Sequence, residues 1–360
     1  MLSVLRRLAL AAALAVLGTG VPAVSPATAV TGPTIAQLIG QKLIVRMEGT
    51  TPSADLLGRI RRGEVGGVIL FGDNITTPTA LEHLTATLQA AARLGGRPKL
   101  LIAVDQEGGS IKRIPWAPPT LTPPQMGALA DKPTAVAQGL ETGKALHGLG
   151  INVDLAPVAD LPATTASFMY RAGRTWSFNA IRTAVLSDAF ATGLRSGGVL
   201  PVMKHFPGIG FATRNTDSSV VTITASRTAL APGLLPYRKA ISHSIPLIML
   251  SNATYTAYDT HNAAGWSPAI VQTLLRGALA FRGVTITDSL DGTAHARGVS
   301  ARTLTLAACR AGTDLILTTG SEASSRAMYT ALVQAATAGT IPTSLLRASY
   351  TRIISLKAGL

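Results

Sequence analysis

Eight short apolar runs, separated by segments of helical length, constrain this chain more than any other feature. They are KLIVRMEG (42–49), GGVILFG (66–72), LLIAVDQEGG (100–109), INVDLAPVAD (151–160), VLPVMKHFPG (199–208), PLIMLSNA (246–253), VTITDSL (284–290) and DLILTTG (314–320). Runs that are apolar throughout, rather than at every second residue, suit strands covered on both faces, as in a parallel sheet flanked by helices. Amphipathic stretches of helical length lie between them, at 54–63, 79–94, 134–149, 179–197, 267–281 and 302–312, and two further helical segments follow the last run. Eight strand–helix units predict an α/β fold, a single (β/α)8 TIM-type barrel. An open doubly wound sheet is the competing topology. It lacks support here, because no Gly-x-Gly-x-x-Gly follows the first run.

The polar residues of these runs gather at their C-terminal ends. Asp105, Gln106 and Glu107 end the third run, Asp154 and Asp160 belong to the fourth, and Lys204 and His205 to the fifth. Asn252 ends the sixth and Asp288 the seventh. In a barrel the site lies at the C-terminal rim, so these side chains should converge there. Any one of them could simply cap a strand or the next helix. Five consecutive runs carrying polar ends argue for a site.

Residues 1–29 have a different character. MLSVLRR is a positive leader, LALAAALAVLGTGV an apolar core, and Ala27-Thr28-Ala29 a small-x-small cleavage pattern. This predicts a secretory signal peptide, a barrel domain over 30–360, a secreted protein at the cell envelope, and no membrane span after cleavage. The only cysteine, Cys309, excludes an internal disulfide and sits on an apolar helix face, where a buried inert thiol is expected. Formal charge is +14 and falls to +12 without Arg6 and Arg7, the only charged residues of the leader. A basic surface suits an anionic cell envelope. Nucleic acid is a poor partner, because aromatics are only 4% and no basic patch is interleaved with them.

The rim residues narrow the chemistry. No His-x-Glu, His-Glu-x-x-His or His-x-His spacing suggests a metal, no cofactor is called for, and no Gly-x-Ser-x-Gly turn suggests a serine nucleophile. Carboxylates with cations and aromatics at a barrel rim suit a carbohydrate substrate, where one carboxylate meets the anomeric carbon and a second group exchanges protons.

Ordered motifs support that reading. GGVILFGDNI (66–75), AVDQEGGSIKRI (103–114), INVDLAPVADL (151–161), GRTWSF (173–178), KHFPGIG (204–210) and ITDSLDG (286–292) occur in sequence. Over about 35–357 the chain resembles the N-terminal barrel of glycoside hydrolase family 3, particularly its single-domain β-N-acetylhexosaminidase branch. The resemblance implies that Asp288 is the nucleophile of a retaining glycosidase and that Asp105, Arg174, Lys204 and His205 bind sugar. The plainer alternative makes Lys204 and Arg174 ion-pair partners of Asp105 and Asp288. Neighbouring residues on a regular strand face opposite ways, so Lys204 and His205 can share one site only if the backbone is distorted at 204–208. A cis Phe206–Pro207 bond and an unusual φ at Gly208 are the expected devices.

The resemblance fails at one station. The branch takes its acid/base from Asp-Ser-His in the loop after strand five, and here the residues are Asp217-Ser218-Ser219. It also usually has Gly-His-Gly after Phe-Pro, where this chain has Gly208-Ile209-Gly210. The larger family members take a Glu from a second domain, for which no composition break or linker is evident. Three outcomes stay open: Asp217 acts as acid/base, another group serves, or the chain binds sugar without cleaving it. A β-glucosidase is the alternative to a β-N-acetylglucosaminidase.

Overall fold

Buried Val, Ile and Leu side chains organise the chain as the sequence pattern predicts. The computed structural model describes residues 32–360, and Thr34–Leu360 form one compact unit. The expected signal peptide at 1–29 lies outside the described residues. Eight parallel strands are β1 (Leu43–Arg46), β2 (Gly67–Ile69), β3 (Leu101–Val104), β4 (Val153–Asp154), β5 (Leu200–Phe206), β6 (Leu247–Leu250), β7 (Val284–Thr287) and β8 (Ile316–Thr318). They pair in chain order from β1 to β7, and β8 pairs with β1. An Ile286–Leu315 bridge joins β7 to the approach of β8, with Leu315 N donating to Thr285 O at 2.8 Å and Thr287 N to Leu315 O at 3.0 Å. The sheet is therefore a barrel, as the eight runs require.

Ile44, Ile69, Leu101, Val153, Val202, Met249, Ile286 and Leu317 belong to one inner cluster to which all eight strands contribute, the filled interior expected of such a barrel. Helices cover the outside, where Val45, Val68, Ile102, Met203 and Ile248 pack against them. Many of the helices start where the sequence offers a cap. Ser53 accepts from Leu56 N ahead of Ala54–Arg62, Asn179 from Arg182 N ahead of Ala180–Ser196, and Ser300 from Thr303 N ahead of Ala301–Ala311. Such side chains satisfy amide groups that the first helical turn leaves free. The segment expected to be helical at 267–281 forms Ala269–Ala278 with wider, i to i−5 bonding, as between Leu279 N and Leu274 O at 2.9 Å.

The last helix, Thr343–Lys357, covers the N-terminal end of the barrel. Its Ile353 joins the inner cluster, its Ser349 accepts from Lys42 Nζ at 3.1 Å, and its Lys357 Nζ donates to Gln41 Oε1 and Gly66 O at 2.6 and 2.7 Å. The opposite, C-terminal end is open. Among the described residues, no helix is long and apolar enough to cross a membrane, and Cys309 is buried and free.

Strands are shorter than the apolar runs that announced them, with two consequences. β3 ends at Val104, and Gln106–Gly108 turns back in a separate hairpin with Ile111–Lys112. β4 ends at Asp154, so Asp160 lies in the following loop rather than on the strand. Both excursions begin where the polar residues begin, because a carboxylate cannot continue into the apolar barrel wall without a partner.

Candidate active site

The C-terminal end of the barrel holds a cavity of about 480 Å³. Every candidate from the sequence lines it: Asp105, Arg174, Lys204, His205, Asp217 and Asp288. Four strands or their following loops supply them, β3, β4, β5 and β7, so their convergence is a product of the closed topology.

β5 carries the distortion that Lys204 and His205 require. Met203 pairs with Ile248, but Phe206 pairs with Leu250, so three residue steps on β5 match two on β6. One extra residue in a strand is a bulge, which re-aims the side chains beside it. The Lys204–His205 and Phe206–Pro207 peptide bonds are cis, and Gly208 adopts φ 116. The expected irregular backbone is therefore present, with the non-proline cis bond as a feature the sequence did not announce.

Lys204 and Arg174 are held by a residue that the sequence reading placed at the rim without a role. Glu107 accepts from Arg174 Nε at 2.8 Å and Nη2 at 2.7 Å, and lies 2.6 Å from Lys204 Nζ. Lys204 also donates to Asp105 Oδ1 at 2.8 Å, and the Arg113 guanidinium stands 3.7 Å from Asp105 Oδ2. The ion-pair alternative is thus half met: Lys204 pairs with Asp105, but Arg174 pairs with Glu107, and neither pairs with Asp288. Burial alone would push the Glu107 carboxyl up, but the Lys204 and Arg174 charges outweigh it and hold it at about 2. The same attraction overcomes desolvation of Lys204 and raises its pKa. The only warning in the sequence was that Glu107 follows Asp105 by two residues, on the same turn of chain.

His205 has a partner as well. Its Nδ1 lies 2.7 Å from Asp160 Oδ2, while Asp160 Oδ1 accepts from Ile209 N at 2.8 Å and His205 N at 3.3 Å. A carboxylate there orients the ring and directs Nε2 into the cavity, 4.0 Å from Asp288 Oδ2. Asp160 is fully buried, so its place off the strand does not remove it from the site.

Asp288 follows directly on β7. Its own N–H donates to Leu250 O at 3.0 Å, and its Oδ1 accepts from Ser289 N at 2.8 Å. Asn252, buried beyond β6, donates from Nδ2 to Ser289 O at 2.7 Å and steadies the same turn. Asp217 reaches the cavity from the loop after β5. It keeps accessible surface at the mouth, so water still touches it. Crowding by protein atoms and then the Asp288 charge push its carboxyl up, to about 7, against the opposing pull of His205 and Arg174. The two carboxylates therefore differ in surroundings, the condition under which one can carry a proton while the other carries charge.

Asp154, also at the rim, has a different part. It is fully buried, accepts from Gln106 N at 3.0 Å through Oδ1, and leaves Oδ2 without a partner. Burial pushes its carboxyl up, to about 8, which favours the protonated form at neutral pH. Among the described residues, no cluster of His, Cys, Asp and Glu is arranged to hold a metal ion.

Comparison with known proteins gives a consistent answer. Residues 34–356 match the glycosyl hydrolase family 3 N terminal domain. The chain is 32% identical over 334 residues to an uncharacterized secreted glycosyl hydrolase of Arthroderma benhamiae, covering 91% of this chain and 94% of that protein. Among solved structures it resembles a β-N-acetylhexosaminidase from Beutenbergia cavernae, with a TM-score of 0.84, 30% identity, and coverage of 91% of this chain and 99% of that one. It also resembles a family 3 β-N-acetylglucosaminidase from Paenibacillus, with a TM-score of 0.85 and 29% identity over 91% of this chain. Of that longer protein it spans 62%.

Proposed function

This chain belongs to glycosyl hydrolase family 3, and from that premise we propose that it is a secreted, exo-acting, retaining β-N-acetylglucosaminidase with Asp288 as nucleophile and Asp217 as acid/base. The observation that carries this reading is the pair of carboxylates in one cavity, Asp288 held by a backbone amide and Asp217 pushed up to about 7. In the first step a carboxylate oxygen of Asp288 bonds to the anomeric carbon as the bond to the leaving oxygen breaks, and Asp217 delivers its proton to that oxygen. In the second, Asp217 takes a proton from water, whose oxygen attacks the anomeric carbon and releases Asp288. Two inversions give net retention.

Asp105, Lys204, Arg174 and His205 hold sugar hydroxyls. Each arrives already paired or oriented, so little side-chain freedom is lost when the sugar binds. A cavity of about 480 Å³ closed by these charges suits one terminal sugar better than a continuous polymer. The N-acetyl preference is supported by the names of the similar proteins above. The leader pattern of residues 1–29 and the secreted relative support export, and the basic surface suits wall or chitin-type fragments in an anionic envelope.

Ser219 favours a second reading. With serine rather than histidine at 219, the chain could hold sugar without cleaving it. Aryl β-N-acetylglucosaminides and β-glucosides with good leaving groups separate the two. The hydrolase reading expects release from the N-acetylglucosaminide, reduced by more than about 10³-fold in Asp288→Asn. Equal inertness of wild type and variant, with N-acetylglucosamine still bound in calorimetry, would establish the binding protein instead.

A further inference from the structure

The loop after β5 is anchored along its length. At its start, Ile209 is buried and its N–H donates to Asp160. Gly210 lies so close to the neighbouring chain that a Cβ would stand 1.6 Å from Leu161 O, and its carbonyl accepts from Ala163 N at 3.1 Å. Further on, Phe168 N donates to Ala212 O at 2.8 Å and Arg171 Nη2 to Thr213 O at 2.6 Å. This explains Ile209 and Gly210 physically, since one fills a buried position and the other permits contact with Leu161.

The tip of the loop rests on a different element. Helix Leu290–Ala296 begins two residues after Asp288. Its Thr293 is buried and donates from Oγ1 to the carbonyl of Thr216, itself buried, at 2.9 Å. One residue earlier, Gly292 faces Asp217 so closely that a Cβ would lie 2.4 Å from Asp217 O. Asp217 N donates to Asn215 Oδ1 at 3.0 Å, and Arg214 Nη2 to Val220 O at 3.0 Å, which shape the turn from within.

We propose that Gly292 and Thr293 are positioning residues that dock the loop onto the helix following the nucleophile and so set Asp217 against Asp288. Thr293 is buried away from the cavity, and Gly292 borders it with backbone alone. They make one short segment, residues 288–293, carry the nucleophile and seat the acid/base. A docked loop gives Asp217 a defined position without the histidine that the related branch places at 219. This inference rests on the reading of Asp217 as acid/base.

An ordinary contact to a Cβ begins near 3.4 Å, so Gly292→Ala must move the Asp217 backbone by about 1 Å. A misplacement of about 1 Å in a reacting group can cost about 10²-fold. Thr293→Val keeps shape but removes the hydroxyl from Thr216 O, and Thr293→Ser restores it.

The test uses the full chain and compares kcat/KM for 2,4-dinitrophenyl and methyl β-N-acetylglucosaminides, of which only the second needs a proton on its leaving group. Gly292→Ala is expected to lose about 10²-fold on the methyl glycoside and Thr293→Val about 10-fold. Both should stay within about 2-fold of wild type on the dinitrophenyl glycoside, and Thr293→Ser should regain most of the loss. Moved away from the surrounding protein atoms and from Asp288, the Asp217 carboxyl shifts back toward its ordinary value, so the basic limb of the pH profile shifts to lower pH. The groups facing it, Asp288, His205, Arg174 and Asp105, are unchanged. An equal loss on both glycosides, or none on either, overturns the positioning role. Asp217→Asn distinguishes the premise. If it shows no leaving-group dependence and azide does not speed its turnover, Asp217 is not the acid/base. If it shows both while the helix variants show neither, only the docking inference fails.

Discussion

Glu107→Gln isolates the charge at the centre of the rim. The substitution preserves shape but leaves Lys204 and Arg174 buried beside a neutral amide. In the folded chain the Glu107 carboxyl is held at about 2, against an ordinary 4.5. A folded pKa below the unfolded one stabilises the protein above the unfolded value, and the contribution disappears as pH falls through the folded value. The displacement corresponds to about 3 kcal/mol at neutral pH, which agrees with the ~3–5 kcal/mol lost when one partner of a buried ion pair is removed. Urea unfolding at pH 7 should find the variant less stable by about 3 kcal/mol. Repeated at lower pH, the gap should narrow between 4.5 and about 2, because wild type then loses the same charge. A gap below ~1 kcal/mol at pH 7 would mean that the cations are satisfied without Glu107. A gap of full size at every pH would place the loss in packing and refute the electrostatic argument.

Two other buried groups have unequal and opposite signatures. Asp154 is pushed up to about 8 from 3.8, so wild type should lose stability as pH rises across that window, while Asp154→Asn, which keeps an acceptor for Gln106 N, should not. Thermal unfolding from pH 4 to 9 should show the variant gaining on wild type and levelling above 8; parallel curves would contradict a protonated Asp154. Lys357 is pulled down to about 7 from 10.5 by burial alone, so folded wild type bears the cost of its charge below 7 and sheds it as pH rises toward 10.5. Lys357→Met should therefore be most favourable relative to wild type below pH 7 and lose that advantage above it, measured by urea midpoints at pH 6 and pH 10, and an equal difference at both pH values would show the ammonium to be well solvated.

The barrel was legible in the sequence because its signal is repeated. Eight apolar runs at helical spacing leave little choice of topology, and the polar residues ending the third to seventh runs mark the open face. Strand ends were overextended because an apolar pattern continues past the last ladder bond. Asp160 illustrates this: the pattern carried it into β4, while the structure puts it six residues beyond, still buried and under His205. Partnerships were less legible than positions. Nothing in one dimension tells that Arg174 selects Glu107 over Asp105, or that Asp160 rather than Asp217 orients His205, because such pairs are decided by distances across strands. The distortion at Lys204–His205 was accessible only because two adjacent side chains needed the same cavity, and the bulge between β5 and β6 satisfies that need.

On the proposed reading, the segment from Ile209 to Ser219, which departs from the related branch at both ends, is a rebuilt support rather than a damaged motif. Ile209 is a core residue, Gly210 is required by Leu161, and Thr216 and Asp217 rest on Thr293 and Gly292. A mobile acid/base loop needs a residue to orient the proton donor once it arrives. A loop already docked beside the nucleophile needs space for its backbone and a hydrogen bond for its carbonyl instead, and Gly292 and Thr293 supply these. On the proposed reading of Asp217 as acid/base, the absence of histidine at 219 bears on how Asp217 is held, and a carboxyl pushed up to about 7 suits a group that exchanges protons near neutral pH.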